Sequence, residues 1–86
     1  MNDDRIDYYA IMGVGQAPTD PSGLVRRRYT VDGRVDEALR KDLSWQRDTA
    51  IIEWEYGNLP GELTRISAAE AERLIERFRK KWGAQG

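Results

Sequence analysis

From Ser67 to Gly83 the sequence admits little except an amphipathic helix. Ser67 and Glu70 stand at capping-box spacing, where each side chain can bond the other residue's backbone N–H. Ala71, Leu74, Ile75, Phe78 and Trp82 recur at i, i+3, i+4, i+7 and i+11 and form one apolar stripe. Glu76 and Lys80 suit an exposed i,i+4 pair, and Arg79, Lys80 and Lys81 complement the C-terminal end of the helix dipole. Gly83 is the stop signal. Such a helix draws its stability from packing, so the preceding residues must supply a surface that covers the stripe.

That surface reads as a sheet. Ile6-Asp7-Tyr8-Tyr9-Ala10-Ile11-Met12 is rich in aromatic and β-branched residues and ends at Gly13, a strand pattern. Ile6, Tyr8, Ala10 and Met12 share one face and Tyr9 and Ile11 the other, as in a strand that is covered on both sides or meets a partner. Gly13 to Gly23, with three glycines, Pro18 and Pro21, is a loop. Leu24 to Val31 is a second strand, closed by the Asp32-Gly33 turn signal, and the two strands form an antiparallel hairpin with a long loop. Val35, Ala38, Leu39 and Leu43 follow helical spacing and predict a short helix over residues 34–43. Asp48 is placed to cap a helix over Thr49 to Tyr56, with Gly57 ending it. Asn58-Leu59-Pro60-Gly61 is a turn, and Glu62 to Ile66 a short third strand. The predicted class is α+β: a small antiparallel sheet with helices on one face, in the order ββ(α)αβα.

The chain has 86 residues, the length of one small domain spanning residues 1–86. It contains no cysteine and no histidine. Disulfides and thiolate metal sites are thereby excluded, together with the commonest general base near neutral pH and the commonest transition-metal ligand. The net charge is −1, without the basic field that draws proteins to polyanions. The N-terminus is acidic and lacks the order of a secretory signal, and no apolar run approaches the roughly 20 residues that span a bilayer. A cytoplasmic protein without membrane contact, cofactor or metal is expected.

Arg26-Arg27-Arg28 is the most unusual local feature. On a strand, Arg26 and Arg28 point one way and Arg27 the other. Guanidinium forks bind phosphate and carboxylate, so the run is a candidate anion site. It is equally the pattern of a charged strand that resists edge pairing, with Arg27 paired to an internal carboxylate, and this second meaning is the one expected. Tyrosines Tyr8, Tyr9 and Tyr29 would favour nucleic acid if they lay exposed beside the arginines as stacking platforms. Gly13-Val14-Gly15 follows a strand as a dinucleotide fingerprint begins, but Pro18 occupies the third glycine position and no helix follows. Glu53/Glu55 lie two apart on a helix and do not share a face; Glu70/Glu72 are part cap, part surface. Ser22, Ser44 and Ser67 have no histidine to activate them. Trp45, Trp54 and Trp82 are expected in the core, with Trp82 the best candidate for an interface anchor.

Tyr8-Tyr9-Ala10-Ile11, Gly23-Leu24-Val25-Arg26-Arg27-Arg28, Asp36-Glu37-Ala38-Leu39, Trp45 and Ile66-Ser67-Ala68-Ala69-Glu70-Ala71, taken in order, resemble a loose group of short, uncharacterised proteins common in high-GC Gram-positive bacteria. The resemblance runs from about residue 8 to residue 82 and implies a self-contained small protein, with no catalytic residues to carry over. The missing catalytic residues, the plentiful aromatics and the mixed-charge surface make a non-catalytic protein-interaction module, binding itself or another protein, the expected function. The alternative is a nucleic-acid or anionic-ligand binder using the Arg26–Arg28 strand. Arg26, Arg28, Tyr9 and Trp82 are the candidate binding residues.

Overall fold

The structure, a computed structural model, describes residues 5–13 and 21–83. Among them the elements run β1 (Ile6–Met12), β2 (Gly23–Thr30), β3 (Gly33–Leu39), β4 (Trp45–Arg47), α1 (Ala50–Glu55), β5 (Glu62–Ile66) and α2 (Ala68–Gly83). The described strands make one antiparallel sheet in the order β4-β3-β2-β1-β5. The fold is α+β, as the sequence predicts. The N-terminal hairpin is present, with Asp7 opposite Arg27 and Ala10 opposite Leu24. The predicted short third strand joins the other side of β1, with Ala10 opposite Thr64. Most of the predicted loop between β1 and β2, including Val14 and Gly15 of the glycine motif, lies outside the described residues.

Two expectations are corrected. Residues 34–43 are not a helix. The segment up to Leu39 is β3, which returns along β2 after a turn in which Gly33 takes φ +133. Val35, Ala38 and Leu39 do recur at helical spacing, but sheet pairing places Asp36 and Glu37 directly opposite Arg27 and Arg26. Opposite charges at facing positions favour the ladder, and no helix could offer that compensation. A short β4 follows, and Leu43 turns the chain between β3 and β4 with φ 68.

The second correction concerns the helices, which cover opposite faces of the sheet instead of sharing one. α2 lays Ala71, Leu74 and Phe78 against Ala10, Met12, Leu24 and Leu39. α1 lays Ile51 against Val25, Ala38 and Leu63 on the other side, with Tyr9, Ile11 and Trp54 around them. The cause is visible in β1, whose even residues face one cluster and odd residues the other. A strand apolar on both faces needs both covered. Leu24, Val25 and Ile51 are fully buried. Each large side chain withdrawn in this way stabilises the fold by roughly 1.5–3 kcal/mol.

The helix ends follow from local chemistry. The Ser67 backbone N–H donates to Glu70 Oε1 at 3.0 Å, and the Glu70 N–H donates to Ser67 Oγ at 3.1 Å, the predicted reciprocal cap. At α1 the cap position is Thr49, whose side chain makes no capping bond. Asp48, one residue earlier, accepts the Ala50 N–H at 2.7 Å. Gly57 ends that helix at φ +79, where other residues would be strained.

Candidate functional site

The three arginines of β2 divide between the faces by strand alternation. Arg27 enters the α1 side and is 4% exposed. Its Nε and Nη2 donate to Asp36 at 2.8 and 3.0 Å, and its Nη1 donates to Glu55 of α1 at 2.9 Å. Hydrogen bonding to Asp36 first, and then to Glu55, raises its pKa further above the usual guanidinium value despite burial. The Glu55 carboxyl is held below the ordinary carboxylate value, chiefly by the Arg27 hydrogen bond.

Asp7, directly opposite Arg27, forms a second knot on the same face. It is 3% exposed and accepts hydrogen bonds from Arg65 Nη2 at 2.8 Å, Tyr29 Oη at 3.2 Å and Arg5 Nε at 3.3 Å. The Arg5 guanidinium also covers the Tyr29 ring, 5.0 Å from its centroid.

Arg26 and Arg28 lie on the α2 side and converge on Glu37. Arg26 Nε donates to Glu37 Oε1 at 2.8 Å, and Arg28 Nε donates to the same oxygen at 2.9 Å. Their hydrogen bonds, Arg28's first, hold the Glu37 carboxyl below its usual value. Arg26 also stacks its guanidinium 3.9 Å from the Trp45 ring centroid, and Trp45 leans on Tyr8 at 6.3 Å. Every buried side-chain nitrogen or oxygen among the described residues has a hydrogen-bond partner.

Of the four candidate binding residues, the fold brings Arg26 and Arg28 together and leaves the other two apart. Tyr9 faces the opposite side of the sheet, half-buried against Trp54 with ring centroids 5.9 Å apart. Burial first, and then the negative charge of Asp7, raises the Tyr9 phenol above its ordinary pKa. Trp82 lies near the end of α2, stacked on Phe78 at 4.4 Å and packed on the apolar cluster. Tyr8, Tyr9 and Tyr29 are all half-buried, so none is an open platform beside the arginines.

The sequence implies an internal carboxylate for Arg27 without saying which, and it presents Glu55 only as half of the Glu53/Glu55 pair. For Asp36 and Glu37 a signal existed: folding about the Val31-Asp32 turn puts residues 26, 27 and 28 opposite 37, 36 and 35. Glu55 and Arg65 reach their partners from elements distant in the chain, and no local pattern announces them.

Among the described residues the sheet has two open borders. Arg5 and Ile11 turn their carbonyls toward β2, accepting from Tyr29 and Ser22, so the even residues of β1 bond β5. By the same alternation, Leu63 and Arg65 of β5 direct their backbone N–H and C=O away from the sheet, and no described strand pairs there. On the other border β4 covers only Glu37 to Leu39 of β3. Beyond it, a groove of about 340 Å³ is lined by Arg34, Val35, Asp36, Arg47, Thr49 and Ile52, among others. Among the described residues, no group of three or more His, Cys, Asp or Glu is placed to hold a metal ion, and no helix is long and apolar enough to cross a membrane.

Compared with protein-family models, with curated proteins and with solved structures, the chain gives no significant match. Its functional reading rests on its own geometry.

Proposed function

We propose that the chain is a non-catalytic protein-interaction module in a cytoplasmic setting, binding itself or another protein along the outer edge of β5. One observation carries this reading: the outward N–H and C=O groups of Leu63 and Arg65 form a border that no described strand pairs, ready to accept another strand. The basic strand supports it from the other direction, because Arg26, Arg27 and Arg28 are engaged by Glu37, Asp36 and Glu55.

The test is capture from the native host with the tagged full chain, in parallel with Arg65→Pro and Arg65→Ala. Proline deletes an outward N–H that the fold itself does not use, which an edge strand tolerates. Alanine removes the same contact to Asp7 but keeps the N–H. Loss of the captured protein, or of self-association, with proline and its retention with alanine supports the edge. Equal behaviour of the two variants, both folded by circular dichroism, contradicts it.

The alternative, an anionic ligand on Arg26 and Arg28, draws on their shared face and on the partial exposure of Arg28, 35% for its side chain. Such a ligand would have to displace Glu37 from both guanidinium groups, which would leave a carboxylate that is 12% exposed without its counter-charges.

A further inference from the structure

We infer that the groove where β4 ends and β3 continues alone is a second docking site, and that it takes an extended acidic segment of a partner protein. This rests on the interaction-module reading but concerns the opposite border of the sheet from β5.

Three features converge there. The first is backbone. Asp36 accepts the Asp48 N–H and Arg40 donates to the Ser44 carbonyl, so the even residues of β3 turn their polar groups toward β4. The N–H and C=O of Arg34 therefore face outward past the point where β4 has left the sheet. A segment lying there would extend the line of β4 and add a short strand to the sheet.

The second feature is charge. The acidic residues of the groove are already engaged: Asp36 by Arg27 at 2.8 Å, and Asp48 by Arg40 at 3.4 Å and the Ala50 N–H. Arg34 and Arg47, both exposed, line the same groove and make no ion pair among the described residues. The charge of Arg34 is felt by the Glu55 carboxyl, whose main partner is Arg27. Alternation puts Arg34 on the α1 side and Arg47 on the α2 side, so the groove offers one guanidinium above the edge and one below it. Consecutive acidic residues of an extended segment project to opposite faces and match that arrangement.

The third feature is apolar surface. Val35 of β3 and Ile52 of α1 flank the groove, and Ile52 is 36% exposed. Val35 lies on the α2 side of the edge and Ile52 on the α1 side, so the aliphatic residues before and after an acidic pair, which project to opposite faces, would cover one each.

The probe is a fluorescein-labelled hexapeptide, Val-Glu-Glu-Val-Glu-Glu, titrated into the full chain at low salt and followed by anisotropy. The expected result is saturable binding that weakens with added salt, falls about tenfold or more in Arg34→Gln with Arg47→Gln, and is unchanged in Arg65→Pro. The same peptide with lysine at each glutamate, or with N-methylated backbone amides, should not bind. No saturation up to about 1 mM, or equal affinity for the wild type and the Arg34/Arg47 variant, overturns the inference. Binding lost in Arg65→Pro and kept in the Arg34/Arg47 variant places the peptide on β5, which refutes the groove while leaving the module reading intact. Circular dichroism of each variant separates lost binding from lost fold.

Discussion

Arg27 and Asp36 face each other across β2 and β3, joined by two hydrogen bonds of 2.8 and 3.0 Å with both side chains under 10% exposed. A buried pair of this kind contributes little over an apolar substitute, but removing one partner strands the other. Arg27→Met should therefore lower stability by about 3–5 kcal/mol, since the Asp36 side chain, only 8% exposed, is left with little water to replace the guanidinium. Glu55 is 42% exposed and can turn outward. Adding Asp36→Leu should recover most of the loss. Urea melts of the two variants check this, and equal destabilisation in both would contradict it.

Acid should weaken the fold through Glu37 and Glu55. Both carboxyls lie below the ordinary value of 4.5 in the folded state, through hydrogen bonds from Arg28 and Arg26 and from Arg27 respectively. A lowered folded pKa contributes stability that is fully present above the unfolded value and is lost as pH falls through the folded one. The urea midpoint should hold between pH 7 and about 5 and decline below about 4.5. Glu37→Gln should be less stable at pH 7 and show a shallower decline. A midpoint independent of pH down to 3 would mean that these pairs are not held in solution.

Ser67→Ala should cost about 0.5–2 kcal/mol through the lost cap, read as a lower urea midpoint at unchanged slope. An unchanged midpoint would show that α2 does not start at that cap.

Gly61 marks a close approach of two backbones. A Cβ there would overlap the carbonyl oxygen of Met12, and backbone cannot step aside as a side chain can. Gly61→Ala should destabilise by about 2–4 kcal/mol, whereas Gly83→Ala, with nothing near its added methyl, should change the melt little.

What the sequence made legible was local. The α2 stripe and its cap, the two-faced apolar pattern of β1, the turn before β3, which falls at Val31-Asp32, one residue ahead of the Asp32-Gly33 signal, and the stop at Gly57 all act over a few residues. The strand over Gly33–Leu39 was hidden because Val35, Ala38 and Leu39 fit a helical period, and its pairing with β2 outweighs that period only once Asp36 and Glu37 meet the arginines. The two-sided core was half legible: β1 carried it, but the side on which each helix packs is set by crossovers that no residue pattern encodes. In the candidate site, the internal pairing of Arg27 was anticipated, whereas Glu55, 28 residues away in sequence, and Arg65, 58 residues from Asp7, come together only in the finished fold.

The central claim is that the arginines of β2 are internal counter-charges and not a ligand site. The most direct test is anisotropy of a labelled single-stranded oligonucleotide, about 12 nucleotides long, titrated with the full chain at low salt. The account predicts no saturable, salt-sensitive binding up to about 100 μM, because Glu37, Asp36 and Glu55 already occupy those guanidinium groups. Micromolar binding that weakens steeply with salt, survives Arg34→Gln with Arg47→Gln and disappears in Arg26→Gln with Arg28→Gln would contradict it.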